Sequence, residues 1–391
     1  MPANNWHFFM LKFINFKITH ELWGEKMKRW LSGFLLAVIL LGAGTNQKVY
    51  GVDGIGSRCG ILMEQLTGRV MFEKCADEQM YIASITKILT AIIAIEHADL
   101  NDWVEITRDD IYQVGSSLYM VEGDRMLLRD LLYGLMLRSG NDAAWAIARH
   151  VGGDVDTFVG MMNEKARQLG MESSVFQNPS GLDEVTYNLS TARDMAEVQR
   201  YAMNNLIFRE ISYERVHRAT SEQGKIFTWK NKHRLVNGRY EHAISGKTGF
   251  TERAKRTLVT SANNGDLELI AVTLIGGNDW NDHIAMFEYG FTNFNMKQIT
   301  DIGELYVLER ELLEYAGFDR LFIREAREVF LRNDEQARKH LVLSTGNGAD
   351  AVGMLEILVN DEVVETLPVY AFEELPVGSW GQRFLDWIVG I

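Results

Sequence analysis

The sequence predicts an α/β chain of the α+β kind, with an antiparallel sheet, helices between its first and last strands, and a smaller β-rich unit behind it. Three observations carry that reading. Residues 57–63 and 69–73 are short, largely apolar runs joined by Glu64-Gln65-Leu66-Thr67-Gly68, a Gly-containing connection that reads as a β-hairpin. Strand-like runs return at 243–249, 256–262 and 267–274, the last two joined by Asn263-Asn264-Gly265-Asp266, a hairpin signal. Between the two groups the apolar spacing is helical.

From Ser84 onward, Ile85, Ile88, Leu89, Ile92 and Ile95 share one helix face. Leu127, Leu128, Leu131, Leu132, Leu135 and Met136 do the same over 127–138, up to Ser139-Gly140-Asn141. Asp142 opens an Ala-rich helix through His150, stopped by Gly152-Gly153. Phe176 to Asp183 is turn-rich, and Ser190 or Thr191, placed before Asp194, reads as a helix N-cap. Beyond about residue 296 the alternating runs 353–359 and 363–370 suggest a small β-rich domain. The expected division is therefore 1–51, 52–295, 296–376 and 377–391.

Composition narrows the function. With 391 residues, 47% apolar and 24% charged, the chain has ample material for a packed core. A net charge of -13 and the lack of a long basic run argue against nucleic acid as a partner. The two cysteines, Cys59 and Cys75, do not resemble a zinc site, and His97, His150, His217, His233 and His242 are scattered singly, as packing or surface residues are. No metal or cofactor is expected. A hairpin centred near Thr67 places Cys59 opposite Cys75, where a disulfide is one outcome and a register shift that separates them is the other.

The ends carry their own signals. Met27-Lys28-Arg29, a mostly apolar run from Trp30 to Ala43 and the small-residue pattern around Val49-Tyr50-Gly51 read as an export signal, with Met27 as the expected start. The run is well short of the roughly 20 apolar residues that a bilayer span needs. On a helix from Ser379 to Ile391, Trp380, Phe384, Trp387, Ile388 and Ile391 lie within roughly a 100° arc, a pattern suited to a membrane surface.

Three short elements carry chemistry: Ser84-Ile85-Thr86-Lys87, Ser139-Gly140-Asn141 and Lys247-Thr248-Gly249. A serine hydroxyl is a poor nucleophile until a base takes its proton, and a lysine three residues along a helix lies on the same face. Lys87 can be that base if burial beside another cation disfavours its charged form; Lys247 can supply the positive charge and also bind an anionic terminus. Ser84 at a helix N-terminus has backbone N–H groups free for a developing oxyanion. Ser139 is placed to relay a proton and Asn141 to orient a substrate amide. Gly249 leaves room for an extended peptide to approach the strand edge.

The trio resembles the signature of the penicillin-recognising serine enzymes, the penicillin-binding proteins and serine β-lactamases. Ile82-Ala83-Ser84-Ile85-Thr86-Lys87, the run from Gly134 to Ala144, Asn178-Pro179-Ser180-Gly181-Leu182-Asp183 and Ser245-Gly246-Lys247-Thr248-Gly249-Phe250-Thr251 are similar to the low-molecular-mass D-alanyl-D-alanine carboxypeptidases. Ala254 to Val259 and Asn278-Asp279-Trp280 resemble the sporulation-type members. The resemblance implies a penicillin-binding, β-lactamase-like transpeptidase fold and a substrate, the peptidoglycan stem peptide ending in D-Ala-D-Ala, with β-lactam antibiotics as inhibitors. It implies that Ser84 is acylated, that Lys87 is the base, that Ser139 and Asn141 complete the proton path and amide contact, that Lys247 and Thr248 hold the terminal carboxylate, and that the N–H groups of Ser84 and Phe250 form the oxyanion hole. An exported enzyme at the outer face of the cytoplasmic membrane or in the wall follows, its tail on the membrane as in many members.

Two positions depart from the family pattern: Ser180 stands where histidine is common, and Lys232 and His233 alter an Asn-rich run after Trp229. Two rivals remain. A serine β-lactamase would need a carboxylate to activate the deacylating water, and no Glu-x-x-x-Asn loop lies between Asn141 and Lys247. A catalytically silent wall-binding homologue would not need the intact trio.

Overall fold

The computed structural model describes residues 54–307, 318–343 and 351–371. The expected export signal within 1–51 and the tail at 377–391 lie outside the described residues. Among the described residues no helix is long and apolar enough to cross a membrane.

Five strands form one antiparallel sheet: β1 (Cys59–Glu64), β2 (Val70–Lys74), β3 (Ala243–Thr251), β4 (Lys255–Asn263) and β5 (Glu268–Leu274), in the order β2-β1-β5-β4-β3. Side chains of a strand alternate between faces. Ile270, Val272 and Leu274 of β5 accordingly join one core, while Leu269 and Ala271 join the other. Ile61 and Leu62 of β1 divide in the same way. The sheet is therefore covered on both sides, and the helices between β2 and β3 supply the larger cover.

That cover is built on α1 (Lys87–His97), in which Ile88 through Ala94 are all buried. A helix that is apolar nearly all round belongs inside a domain, not on its surface. Each fully buried isoleucine contributes about 1.5–3 kcal/mol of apolar burial. Around α1 pack α2 (Leu128–Tyr133), α3 (Asn141–Gly152), α4 (Val155–Gln168), α5 (Ala192–Met203) and α6 (Leu206–Tyr213), while α7 (Asp279–Asn293) packs Met286 and Phe287 into the second core. Thr191 caps α5 by accepting from the Asp194 N–H at 3.0 Å, which settles the choice between Ser190 and Thr191. The helix expected over 127–138 changes character midway: α2 ends at Tyr133, and Gly134–Arg138 winds as a π-turn.

The hairpin register pairs Gly60 with Lys74 and Ile61 with Glu73, so Cys59 does face Cys75. Both remain free thiols, Cys59 buried and Cys75 exposed. Burial, then the neighbouring Cys75, pushes the Cys59 thiol up to about 12.

The chain leaves α7 directly into β6 (Phe294–Thr300), which pairs with β7 (Arg327–Arg332). The boundary expected between 295 and 296 thus falls inside a strand, because Phe294 stacks on Phe330 at 5.3 Å and belongs to both sides. The strands β8 (Ala337–Leu343), β9 (Gly353–Val359) and β10 (Glu362–Val369) form a second sheet with its own core of Leu355, Ile357, Leu367 and Val369. Arg69, in the turn after β1, ties this part down by donating to the Phe330 carbonyl at 2.8 Å and to Glu335 at 2.6 Å.

Candidate active site

Ser84 does not open the α-helix as expected. It lies in a 3₁₀ turn, Ala83–Thr86, and Lys87 is the first residue of α1. The difference matters, because side chains at i and i+3 eclipse in a 3₁₀ turn. The Ser-x-x-Lys spacing thereby brings Lys87 Nζ to 3.0 Å from Ser84 Oγ.

The turn is held by close backbone contacts. Ala83 has φ +49°, in the left-handed region that costs a non-glycine residue of order 1–3 kcal/mol. Gly181, at φ +84°, presses against it: a Cβ there would lie 1.9 Å from the Ala83 carbonyl oxygen. Thr257 Oγ1 donates to the Ile82 carbonyl at 2.9 Å from the opposite side. Gly249 passes so near that a Cβ would lie 3.0 Å from the Ser84 nitrogen. The strained turn is thus pinned from several directions with its N–H beside β3.

Lys87 has no surface in water. Its Nζ lies 2.8 Å from Asn141 Oδ1 and 2.6 Å from the Ser180 carbonyl oxygen, besides Ser84 Oγ. Burial, and then the positive charge of Lys232, lowers its pKa to about 7, with Asp142 acting in the opposite direction. Lys232 thus joins Lys247, the helper expected from the sequence, as a cation near Lys87. Lys247 is itself buried and held well below the ordinary lysine value by burial, then by Lys87 and Lys232. Its Nζ donates to Ser139 Oγ at 3.0 Å and to the Thr248 carbonyl at 2.8 Å.

Ser139 follows the π-turn at φ +66°, which turns its hydroxyl inward to Lys247. Asn141 is engaged at both ends of its carboxamide: Oδ1 faces Lys87, and Nδ2 donates to the Val114 carbonyl at 2.5 Å. In this arrangement it positions Lys87. Asp142 fixes the facing loop by accepting from Ser117 Oγ at 2.7 Å and the Leu118 N–H at 2.8 Å.

The structure brings these residues together as two hydrogen-bonded groups, Ser84, Lys87 and Asn141 in one and Ser139 with Lys247 in the other. Thr248, Gly249 and exposed Phe250 run along the cleft on β3, whose outer edge has no partner strand among the described residues. The cleft has a volume of about 630 Å³, with Ser84 and Thr248 among its walls. Sequence reasoning missed several of its residues. Ser180 was set outside the trio, yet its carbonyl holds Lys87; a backbone contact leaves no trace in side-chain identity. Lys232, also set aside, lines the cleft with Arg138, Arg234 and Arg256. His233 meets its expectation as a packing residue, bonded to Thr260 and the Val259 carbonyl and held neutral by burial, its pKa lowered to about 3.

Residues 46–278 match the family of D-alanyl-D-alanine carboxypeptidases. The chain belongs to that family. It is a serine peptidase, a hydrolase of peptidoglycan metabolism, and the expectation of this family and its fold is borne out. The chain is 31% identical to D-alanyl-D-alanine carboxypeptidase DacF of Bacillus subtilis over 265 residues, 63% of this chain and 66% of that protein, just under two thirds of the relative's length. It is 27% identical to D-alanyl-D-alanine carboxypeptidase DacC of Escherichia coli over 380 residues, 91% of this chain and 92% of DacC. Among solved structures, the Streptomyces K15 DD-transpeptidase superposes with a TM-score of 0.57 at 31% identity, covering 61% of this chain and 98% of that one.

Proposed function

We propose that the enzyme removes the terminal D-alanine from peptidoglycan stem peptides through an acyl-enzyme on Ser84, with neutral Lys87 as general base. The observation that carries this is the environment of Lys87. A neutral amine has two N–H donors and one lone pair. Asn141 Oδ1 and the Ser180 carbonyl take the two donors, which leaves the lone pair for the Ser84 hydroxyl at 3.0 Å.

On this reading Ser84 Oγ attacks the carbonyl of the penultimate D-alanine as its proton passes to Lys87. The oxyanion forms between the N–H groups of Ser84 and Phe250, donors fixed before the reaction begins. The terminal carboxylate sits at Lys247 and Thr248, where its charge favours protonated Lys247 while Lys87 stays neutral. The C–N bond then breaks as the proton that Lys87 took from Ser84 passes to the leaving amine, with the Ser139 hydroxyl as relay, and Lys87 is neutral again. Water hydrolyses the ester, returning Ser84. The donor peptide lies extended along the free edge of β3. β-Lactams acylate the same serine. A labelled penicillin should mark the wild-type enzyme and leave Ser84→Ala unmarked while the variant's circular dichroism is unchanged; a labelled Ser84→Ala protein would sink the assignment.

The substrate lies outside the cytoplasm, and the apolar run from Trp30 to Ala43 fits export there. The amphipathic pattern from Ser379 to Ile391 fits a hold on the membrane surface. A chain ending at Pro376 should leave the membrane fraction and stay active. Retention in that fraction would refute the anchor.

A further inference from the structure

The acylation chemistry uses the floor of the cleft and, of the cations on its rim, draws only on Lys232, whose charge lowers the pKa of Lys87. Arg138, Lys232, Arg234 and Arg256 all line the cleft, and among the described residues no carboxylate does. The whole chain carries a net charge of -13, so this concentration of one sign runs against its average. Arg256 is answered by Asp279 at 2.8 Å. Arg138 and Arg234 have no ion pair among the described residues, and Lys232 has only the Ser116 hydroxyl at 3.0 Å. Some arginines elsewhere are met, as Arg125 is by Glu222, Arg129 by Glu210 and Arg149 by Asp110, and those among the described residues that are not, such as Arg218 and Arg253, do not gather in one cleft with other cations. The rim cations also repel each other, since Lys232 is held below the ordinary lysine value by burial and then by Arg138. Like charges gathered at a low-dielectric mouth focus a field into it. A bound anion relieves their repulsion; an empty cleft does not.

We infer that Arg138, Lys232 and Arg234 form an anion-attracting rim that selects acyl donors by their total negative charge, so that a stem peptide or β-lactam bearing a second carboxylate is favoured over one bearing the terminal carboxylate alone. This rests on the reading of Ser84 as the acylated residue. The rim acts on the noncovalent complex that precedes acylation, by raising the concentration of anions in the cleft. In a given potential a dianion gains the square of what a monoanion gains. If low salt favours a monoanion about fivefold, it favours a dianion about twenty-five-fold.

The test uses two β-lactams that share a scaffold, benzylpenicillin with one carboxylate and carbenicillin with two. Second-order constants for Ser84 acylation are measured from about 10 mM to about 1 M salt, where the screening length falls from roughly 30 Å to roughly 3 Å. The constant for carbenicillin should fall with salt about twice as steeply, on logarithmic axes, as that for benzylpenicillin. In Arg138→Gln/Arg234→Gln both slopes should flatten by at least half, and Arg138→Lys/Arg234→Lys should restore them. Equal slopes for the two β-lactams in the wild type would overturn the inference even if the variants did not fold. So would slopes unchanged in the glutamine variant, or slopes that stay flat in the lysine variant. Each of these results leaves acylation of Ser84 intact, whereas failure of both β-lactams to acylate Ser84 would instead strike the catalytic assignment.

Discussion

The floor and the rim of the cleft hold the same kind of residue in two conditions. Lys87 and Lys247 have 0% and 1% of their surface in water, while Lys232 and Arg234 on the rim are exposed. Burial disfavours the charged form of both floor lysines, and for Lys87 that makes a base near neutral pH. The rim cations, in contact with solvent, act on anions at a distance. Position relative to water, more than residue type, divides chemistry from attraction here. The division is not complete, because the charge of Lys232 reaches down to lower the pKa of both floor lysines.

Removing Lys87 breaks the comparison most severely. Lys87→Ala takes away the proton acceptor beside Ser84, and acylation by penicillin should slow by about 10²–10⁴-fold, the range of general-base catalysis. Stopped-flow or gel-based labelling measures it. A loss under threefold would mean that another group takes the proton. A smaller effect is expected from Lys232→Gln, which sharpens the boundary between floor and rim. With the positive charge gone, the Lys87 pKa rises, so the acid limb of the acylation profile moves to higher pH and the deficit shrinks once pH exceeds that limb. An unmoved limb would show that the rim does not tune the base.

What the sequence revealed follows the same line. Ser84 and Lys87 were legible because an i, i+3 spacing puts two side chains on one side of either turn, and the 3₁₀ turn then eclipses them. The sheet was legible because Asn263 to Asp266 names its own turn, and α1 because Ile88, Leu89 and Ile92 repeat at helical spacing. Lys232 was not legible as a cleft residue, since the chain brings it beside Ser116 from 116 positions away. Nor was the role of Ser180, whose contact to Lys87 is made by a carbonyl any residue possesses. Asn141 could be read as a cleft residue, but which groups its carboxamide faces depends on the Val114 loop folding over it. The π-turn before Ser139 has no sequence signature in the leucine pattern that continues through it.

The central claim is that a buried, neutral lysine activates Ser84, and the pH dependence of wild-type acylation tests it most directly. A base with a folded-state pKa of about 7 must be unprotonated to act, so the second-order constant for Ser84 acylation by a labelled penicillin should rise about tenfold per pH unit below 7 and level off above it. A profile flat from about pH 5 to 9, or one still rising toward the ordinary lysine value of 10.5, would contradict the account.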